Sequence, residues 1–266
     1  MKRTANLWHF PGTTAIAGAA IFFLYLPIAV LILLSFSAGD SLAEWSGFGL
    51  NWYAEVFDSD DMQRAIRNSL AVASVAMLAG TTAATMAALA SAGRFRGKRG
   101  VETLLGLPLV VPEIVGGIAV LLFFVLVGIR LGIVSIMLAH IVFVIPYAYL
   151  PIRARLDGLD PALAEAAADL YANGWQTFRR IVLPLIWPGI AVGALLAFIG
   201  SLGDVVISYF VSGPGATTLP VYIFSMVRMG VTPVVNAVST MLLFASLSLL
   251  TFTYAISRRF RPDRPR

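Results

Sequence analysis

Six long apolar runs decide most of what this chain can fold into. They cover roughly residues 14–37, 66–92, 101–128, 132–152, 185–211 and 234–257. A helix needs about 20 such residues to cross the hydrocarbon layer of a bilayer. The other spanning design, a closed β-barrel, shows alternating segments of about ten residues, and these runs are continuous. Composition agrees. The chain is 59% hydrophobic and 12% charged, with a mean hydropathy of +0.85, far from a soluble domain. The expected fold is all-α: a polytopic membrane protein with six transmembrane helices in one domain, residues 1–266. The first ten residues, MKRTANLWHF, are basic and precede an apolar run, as in a secretory signal. The run is long, however, and LLSFSAGD leads straight to an acidic loop without a small-residue cleavage site, so an uncleaved first span is expected. The chain has no cysteine, which leaves no disulfide or thiolate chemistry.

Orientation follows from Lys and Arg. With the N-terminus inside, the inner segments hold Lys2, Arg3, Arg94, Arg96, Lys98, Arg99, Arg153, Arg155, Arg179, Arg180, Arg258, Arg259, Arg261, Arg264 and Arg266. These are 15 of the 19 basic residues, and only Arg64, Arg67, Arg130 and Arg228 fall outside. Such a bias places both termini in the cytoplasm. The net charge of +5 is therefore a topology signal. A nucleic-acid partner would need a soluble basic face, and the chain has none. The acidic first outer loop, with Asp40, Glu44, Glu55, Asp58, Asp60 and Asp61, reads most simply as solvation.

One polar segment interrupts the pattern on the cytoplasmic side: EAAADLYANGWQTFRRIVLPLIWP, residues 165–188. Asp160-Pro161 is a helix start, an N-cap followed by proline at the first helical position. Alanines dominate 161–172 and favour a helix, on which Leu163, Ala166, Ala167 and Leu170 share a face while Glu165 and Asp169 lie on another. Asn173-Gly174 reads as a left-handed stop. A second short helix is expected from Trp175 to Val182, ending before Pro184. An interfacial helix in the headgroups is the plain alternative, but an alanine-rich helix with two carboxylates suits an anionic surface poorly. A protein partner is the better reading.

These residues carry a resemblance. Glu165, Ala166 and Ala167, then Ile181, then Leu183-Pro184, resemble the cytoplasmic signature of ATP-binding-cassette importer permeases, the loop that docks on the ATPase subunit. Over roughly 105–255 the blocks PEIVGGIAVLLFFVLVGIRLG, DVVISYFVSGP and LPVYIFSMVRMGVTPVVNA resemble the second membrane subunit of spermidine/putrescine importers. The chain departs from the pattern at Tyr171, six residues after the Glu, where the family usually has glycine; Gly174 is the nearest substitute for the turn. The resemblance implies the type I importer-permease architecture, with residues 153–184 as an ATPase-coupling loop. It implies a bacterial inner-membrane location, a homologous second permease, two ATPase subunits and an extracytoplasmic solute-binding protein. ATP and Mg would be used by the partner ATPase, with no cofactor on this chain. SGPGATTLP at 212–220 lies outside, and the segment after it resembles the family's outer gate. An importer for another small organic or cationic solute stays open, as does a stand-alone secondary transporter or channel, which would need neither ATP nor the cytoplasmic helix pair.

No nucleotide-binding loop contradicts this. GRFRGKRG at 93–100 has one residue too few between its glycines and no Ser or Thr after its Lys, and two histidines make no typical zinc site. Polar groups inside the spans are then the informative ones, because an acid at mid-bilayer costs about 2.5–3.5 kcal/mol on insertion scales. Glu113 falls near the middle of the third run, just after Pro112, where the helix is expected to break. His140 falls at similar depth in the fourth run. Asp204, with Ser201 and Ser208, forms a polar stripe on the fifth. Tyr147, Tyr209 and Tyr222 are candidates for a cation-lined path. The bland reading of each polar group is a buried helix–helix hydrogen bond; interfacial anchoring is the alternative for the tyrosines. Gly189 and Gly193, spaced GxxxG, read as close helix packing.

Overall fold

The structure, a computed structural model, describes residues 12–41, 44–93, 96–229 and 233–259. Part of the orientation argument, resting on Lys2, Arg3, Arg94, Arg261, Arg264 and Arg266, lies outside the described residues. Among those described the chain is helical: α1 Thr13–Ser35, α2 Asn51–Asp58, α3 Asp60–Ala92, α4 Lys98–Val110, α5 Glu113–Val127, α6 Ile133–Asp157, α7 Ala162–Asp169, α8 Gly174–Thr177, a π-turn Phe178–Val182, α9 Leu183–Leu202, α10 Val206–Val211, α11 Leu219–Met229 and α12 Pro233–Arg259. Among the described residues, five stretches are long and apolar enough to cross a bilayer: Thr14–Ser35, Asp60–Ala92, Ile133–Asp157, Gly174–Leu202 and Pro233–Thr251. A sixth crossing is counted when α4 and α5 are taken as one span, although the two are bent by 110°.

Two compact units are distinguishable. The first holds residues up to Ser59 and Met226–Leu243. Within it, the end of α1 is tied to α2. The Ser35 hydroxyl lies 2.7 Å from the Tyr53 hydroxyl, the Trp52 indole N–H donates to the Ser37 carbonyl at 2.9 Å, and the Phe36 ring sits between Phe48 and Tyr53. The remainder of α1 is exposed along nearly its whole length.

The second unit holds Asp60–Ser225 and the chain from Phe244 onward, and its centre is a bundle of α3, α6 and α9. Lipid supplies no hydrophobic drive between helices, so association depends on close packing of small residues. Ala76, Ala84 and Ala88 of α3 meet Val144, Ala148 and Ile152 of α6 and Ala197 of α9. The expected GxxxG contact is present. A Cβ on Gly189 would lie 2.9 Å from the Pro151 carbonyl oxygen, and one on Gly193 2.7 Å from that of Ala148. A second cluster, with Val72, Phe124, Ile136, Ala139, Ile207 and Val211, joins α5 and α10 to the bundle.

Two of the apolar runs are not single helices. The third breaks at Val111, whose extended backbone (φ −71°, ψ 129°) is what a following proline imposes; the break expected at Pro112 is there. The fifth run ends at Leu202 and restarts at Val206. At its other end the helix extends back beyond the apolar residues. From Gly174 through the π-turn to Leu202 the chain is one continuous 29-residue helical stretch. The expected stop before Pro184 is therefore absent: Pro184 lies inside the continuous stretch, two residues past the end of the π-turn. The wide turn at 178–182 adjoins it, a common accommodation for an interrupted bond ladder.

Candidate functional site

The break between α9 and α10 is built by a carboxylate. Asp204 accepts the backbone N–H of Ser208 at 2.8 Å and of Ile207 at 3.3 Å. A short acidic side chain that takes the leading amides of a turn starts a new helix and ends the old one. The same carboxylate faces His140 of α6, with Oδ2 3.2 Å from Nε2. His140 is 2% exposed. Its Nδ1 lies 2.7 Å from the Ser201 hydroxyl, one turn before the break, and its Nε2 lies 3.0 Å from the Ser208 hydroxyl, one turn after it. The stripe expected on one helix is thus split between the end of α9 and the start of α10 and gathered around a histidine from α6. Spacing along the fifth run gives Ser201, Asp204 and Ser208 together; it carries no sign that His140 is their common partner.

Beside this cluster is a cavity of about 60 Å³, lined by Glu113, His140, Tyr147, Ser201 and Asp204 with apolar residues from α4, α6 and α10. It has room for a few waters or one ammonium-sized group. Glu113 is the first residue of α5 and so sits at the positive end of that helix. Both acids predicted inside the spans therefore reach one cavity, each at the start of a helix that follows a break. Tyr147, a weak signal in sequence, is also there.

The two other tyrosines are elsewhere. Tyr209 is half exposed, edge-on to Phe210 and to Phe224 at 6.0 and 6.1 Å. Tyr222 lines a separate hollow of about 270 Å³ with Asp61, Arg64, Asn68, Gly215 and Thr217. There the Asn68 amide donates to the carbonyls of Gly215 and Thr217 at 3.1 and 3.0 Å. The Ser69 hydroxyl accepts the N–H of Leu219 at 2.7 Å, so α3 holds the 213–219 turn in place.

The polar segment from Asp160 to Pro184 departs from expectation in its turn. Asp160 caps α7 as expected, its carboxylate accepting the Ala162 N–H at 2.9 Å. α7 ends at Asp169, three residues short of the expected 172. Its stop is Tyr171, the non-glycine residue with positive φ (57°) among those described. The Tyr171 N–H donates to the Ala168 carbonyl at 2.9 Å and the Ala172 N–H to the Ala167 carbonyl at 3.0 Å, the paired bonds of a glycine-type helix stop. Gly174 does not take over this turn. Asn173-Gly174 opens α8 instead: the Asn173 side chain accepts the Gln176 N–H at 2.8 Å while the Gln176 side chain accepts the Asn173 N–H at 3.0 Å, a capping box. Sequence reasoning missed this because Asn-Gly serves both as a stop and as a start; Gln176 three residues on was the deciding signal.

Exposure sorts the residues expected to couple to an ATPase. Glu165 and Ala166 are exposed, Ile181 and Leu183 are half-buried, and Pro184 is exposed. Ala167 is 4% exposed, packed against the rest of this chain, whereas its neighbour Ala166 on the same expected face is exposed. Leu170, Tyr171 and Trp175 stand out from the surface at 81%, 97% and 66% exposure.

Comparison with known proteins agrees with these features. Residues 76–264 match the family described as binding-protein-dependent transport system inner membrane component. The chain is 40% identical over 238 residues to the spermidine/putrescine transport system permease protein PotC of Haemophilus influenzae, covering 89% of this chain and 93% of that protein. It is 42% identical over 231 residues to the putrescine transport system permease protein PotI of Escherichia coli, covering 84% and 82%. Among solved structures it is similar in fold to a bacterial ABC transporter that imports the acidic polysaccharide alginate, with a TM-score of 0.74 at 21% identity over 94% of this chain and 95% of that one. It is similar also to the MetNI methionine ABC transporter, with a TM-score of 0.66 at 20% identity over 77% and 100%. With its bent pair, its broken fifth span and a family match over most of its length, the chain belongs to the inner-membrane permease components of binding-protein-dependent transport systems.

Proposed function

We propose that this permease imports polyamines, and that its cargo passes the cavity between Glu113 and Asp204. The observation that carries the substrate is the roughly 40% identity, over most of their length, to two permeases named for spermidine and putrescine or for putrescine. The cavity chemistry supports it. A polyamine carries several positive charges at neutral pH, and a charge in a low-dielectric path needs compensating groups. Two carboxylates at one opening supply them, and the nearby Tyr147 ring adds a face suited to cations.

The chain works as one permease domain with both termini cytoplasmic, beside a homologous second permease, two ATPase subunits and an external solute-binding protein. ATP and Mg are used by the ATPases. Residues 153–184 receive the ATPase movement through the exposed Leu170, Tyr171 and Trp175. The continuous stretch from Gly174 to Leu202 gives that movement a path: at about 1.5 Å per residue it runs from α8 to the break at Asp204. A tilt imposed at the cytoplasmic end thereby reaches the carboxylate that faces the cavity, which is what alternating access requires.

The test is uptake of labelled putrescine and spermidine by the complex in vesicles, comparing parent, Glu113→Gln and Asp204→Asn at matched permease levels. Asparagine remains a good helix cap, so Asp204→Asn removes the charge while its one oxygen keeps the shorter bond to Ser208 and gives up the longer one to Ile207. Each loss of a charged hydrogen bond to the cargo is worth about 1.5–3 kcal/mol, a fall of roughly ten- to a hundredfold, larger for spermidine than for putrescine. Parent-like uptake by both variants refutes the carboxylate path. A partner binding protein that holds a solute other than a polyamine refutes the substrate, and uptake that persists without ATP would favour a secondary transporter.

A further inference from the structure

The cavity beside Asp204 has a buried floor and an exposed rim. His140, Val144, Ser201 and Ile207 line it and are buried. Glu113, Tyr147 and Gly200 line it and are exposed in this chain. Two of these rim positions carry a group that meets a cation, a carboxylate and an aromatic face. The third has no side chain. Gly200 lies in the last turn of α9, where alanine would hold the helix better, because glycine loses more freedom on ordering. Other glycines in the second unit have a packing reason. A Cβ on Gly116 would lie 2.9 Å from the Phe143 ring and one on Gly117 2.7 Å from the Phe210 ring, while Gly189 and Gly193 let α9 approach α6. A Cβ on Gly200 meets nothing within 4 Å. Packing within this chain gives no reason for the missing side chain; the open rim does.

We propose that Gly200 is the gap in the rim through which an ammonium end of the cargo reaches Asp204, and that it determines specificity for slender, unbranched amines. A cavity of about 60 Å³ holds an ammonium-sized group with little to spare, so each carbon added at position 200 takes a share of the opening. A primary ammonium on a methylene chain is narrow enough to enter; a branched or heavily alkylated one is not. This inference rests on the reading of the cavity as part of a polyamine path. The rival role for an exposed helical glycine is close approach of a neighbouring helix, here from the second permease. The two differ in what reaches position 200: water and cations in one case, another helix or lipid in the other.

The experiment uses the whole transporter, with its second permease, ATPases and binding protein, in proteoliposomes. The chain has no cysteine, so Gly200→Cys places a single thiol in it, and reaction is read from the mass of this chain. The probes are a cationic aminoethyl and an anionic sulfonatoethyl methanethiosulfonate, each rate divided by that with free mercaptoethanol. Carboxylates at the opening attract one reagent and repel the other, and the two effects multiply, so the cation should be favoured by about tenfold. Putrescine should slow the reaction, and the modified transporter should lose uptake. An unreactive thiol in an assembled transporter overturns the proposal, since only a thiolate in contact with water reacts and a glycine packed under a helix or lipid gives none. Reaction without charge preference overturns it too. Gly200→Ala should lower putrescine uptake several-fold at matched assembly, whereas Gly106→Ala, which also meets nothing within 4 Å but lies away from the cavity lining, should match the parent. Equal uptake by these two variants overturns the proposal, and they decide alone should Gly200→Cys fail to assemble. A parent that takes up no polyamine refutes the substrate reading; the charge preference at position 200 then still decides whether the gap is a mouth for cations.

Discussion

Tyr171 occupies a backbone position made for glycine, and replacing it tests whether the proposed coupling loop turns there. The perturbation is a pair of variants, Tyr171→Gly and Tyr171→Ala. The ring is 97% exposed, so its removal costs no packing within this chain, and the two variants differ only in backbone preference. A residue with a Cβ in the left-handed region costs about 1–2 kcal/mol. Glycine returns about 0.4–1 kcal/mol of that through the greater freedom of its open state. The balance is about 1 kcal/mol in favour of glycine, roughly fivefold in the opening equilibrium of the α7 stop. Hydrogen exchange reads this directly, because the amides of Tyr171 and Ala172 are the donors that close the turn. In nanodiscs, protection at 171 and 172 should be about fivefold higher in the glycine variant than in alanine, with the parent close to alanine. Equal protection in the two variants would refute the placement of the stop at 171. Assembly with the ATPases gives an independent reading: both variants lose the ring, so both should weaken docking equally if the tyrosine ring, and not its turn, meets the partner.

Exposure separates the neighbouring alanines in the same loop. Ala166→Trp should keep expression and folding while blocking ATPase-driven uptake, whereas Ala167→Trp should overpack a buried site at a cost of about 1–3 kcal/mol, seen as faster proteolysis of the loop; equal proteolysis in the two would contradict the burial. In the bundle, Gly193→Ala would drive a Cβ to 2.7 Å from the Ala148 carbonyl oxygen, a backbone atom that has no rotamer to escape into. Thermal inactivation of the solubilised permease should therefore come several degrees earlier for Gly193→Ala than for Gly200→Ala, where an added Cβ meets nothing within 4 Å.

Hydropathy made the class and most of the spans legible, because crossing a bilayer is a requirement on length and composition alone. It misplaced the ends of the fifth span for a physical reason. Apolar character stops near residue 185, but a helix is free to continue into water, and the capped segment from Gly174 does so. The third span was legible as broken because proline acts locally on Val111. The break at Asp204 was not, because a carboxylate ends a helix only when it turns back onto backbone amides, and a lone Asp in an apolar run is equally compatible with a helix–helix hydrogen bond. His140 was visible as a buried polar residue. Its partners were 61 and 68 positions away, beyond any periodicity.

The two acids share more than a cavity. Glu113 opens α5 and Asp204 opens α10 by capping it, and these helices pack on each other, the Phe210 ring filling the space where Gly117 has no side chain. A helix N-terminus offers a carboxylate roughly half an elementary charge of compensation. That arrangement answers part of a carboxylate's charge inside an apolar run, which fits the coincidence of each acid with a break. It also limits how tightly the acid holds a cation, since part of its charge is already answered. A fully uncompensated pair would trap a polyamine. A fully neutralised one would not admit it. Carboxylates answered in part by helix ends, and in one case by a histidine, fall between these limits, where a cation enters and also leaves.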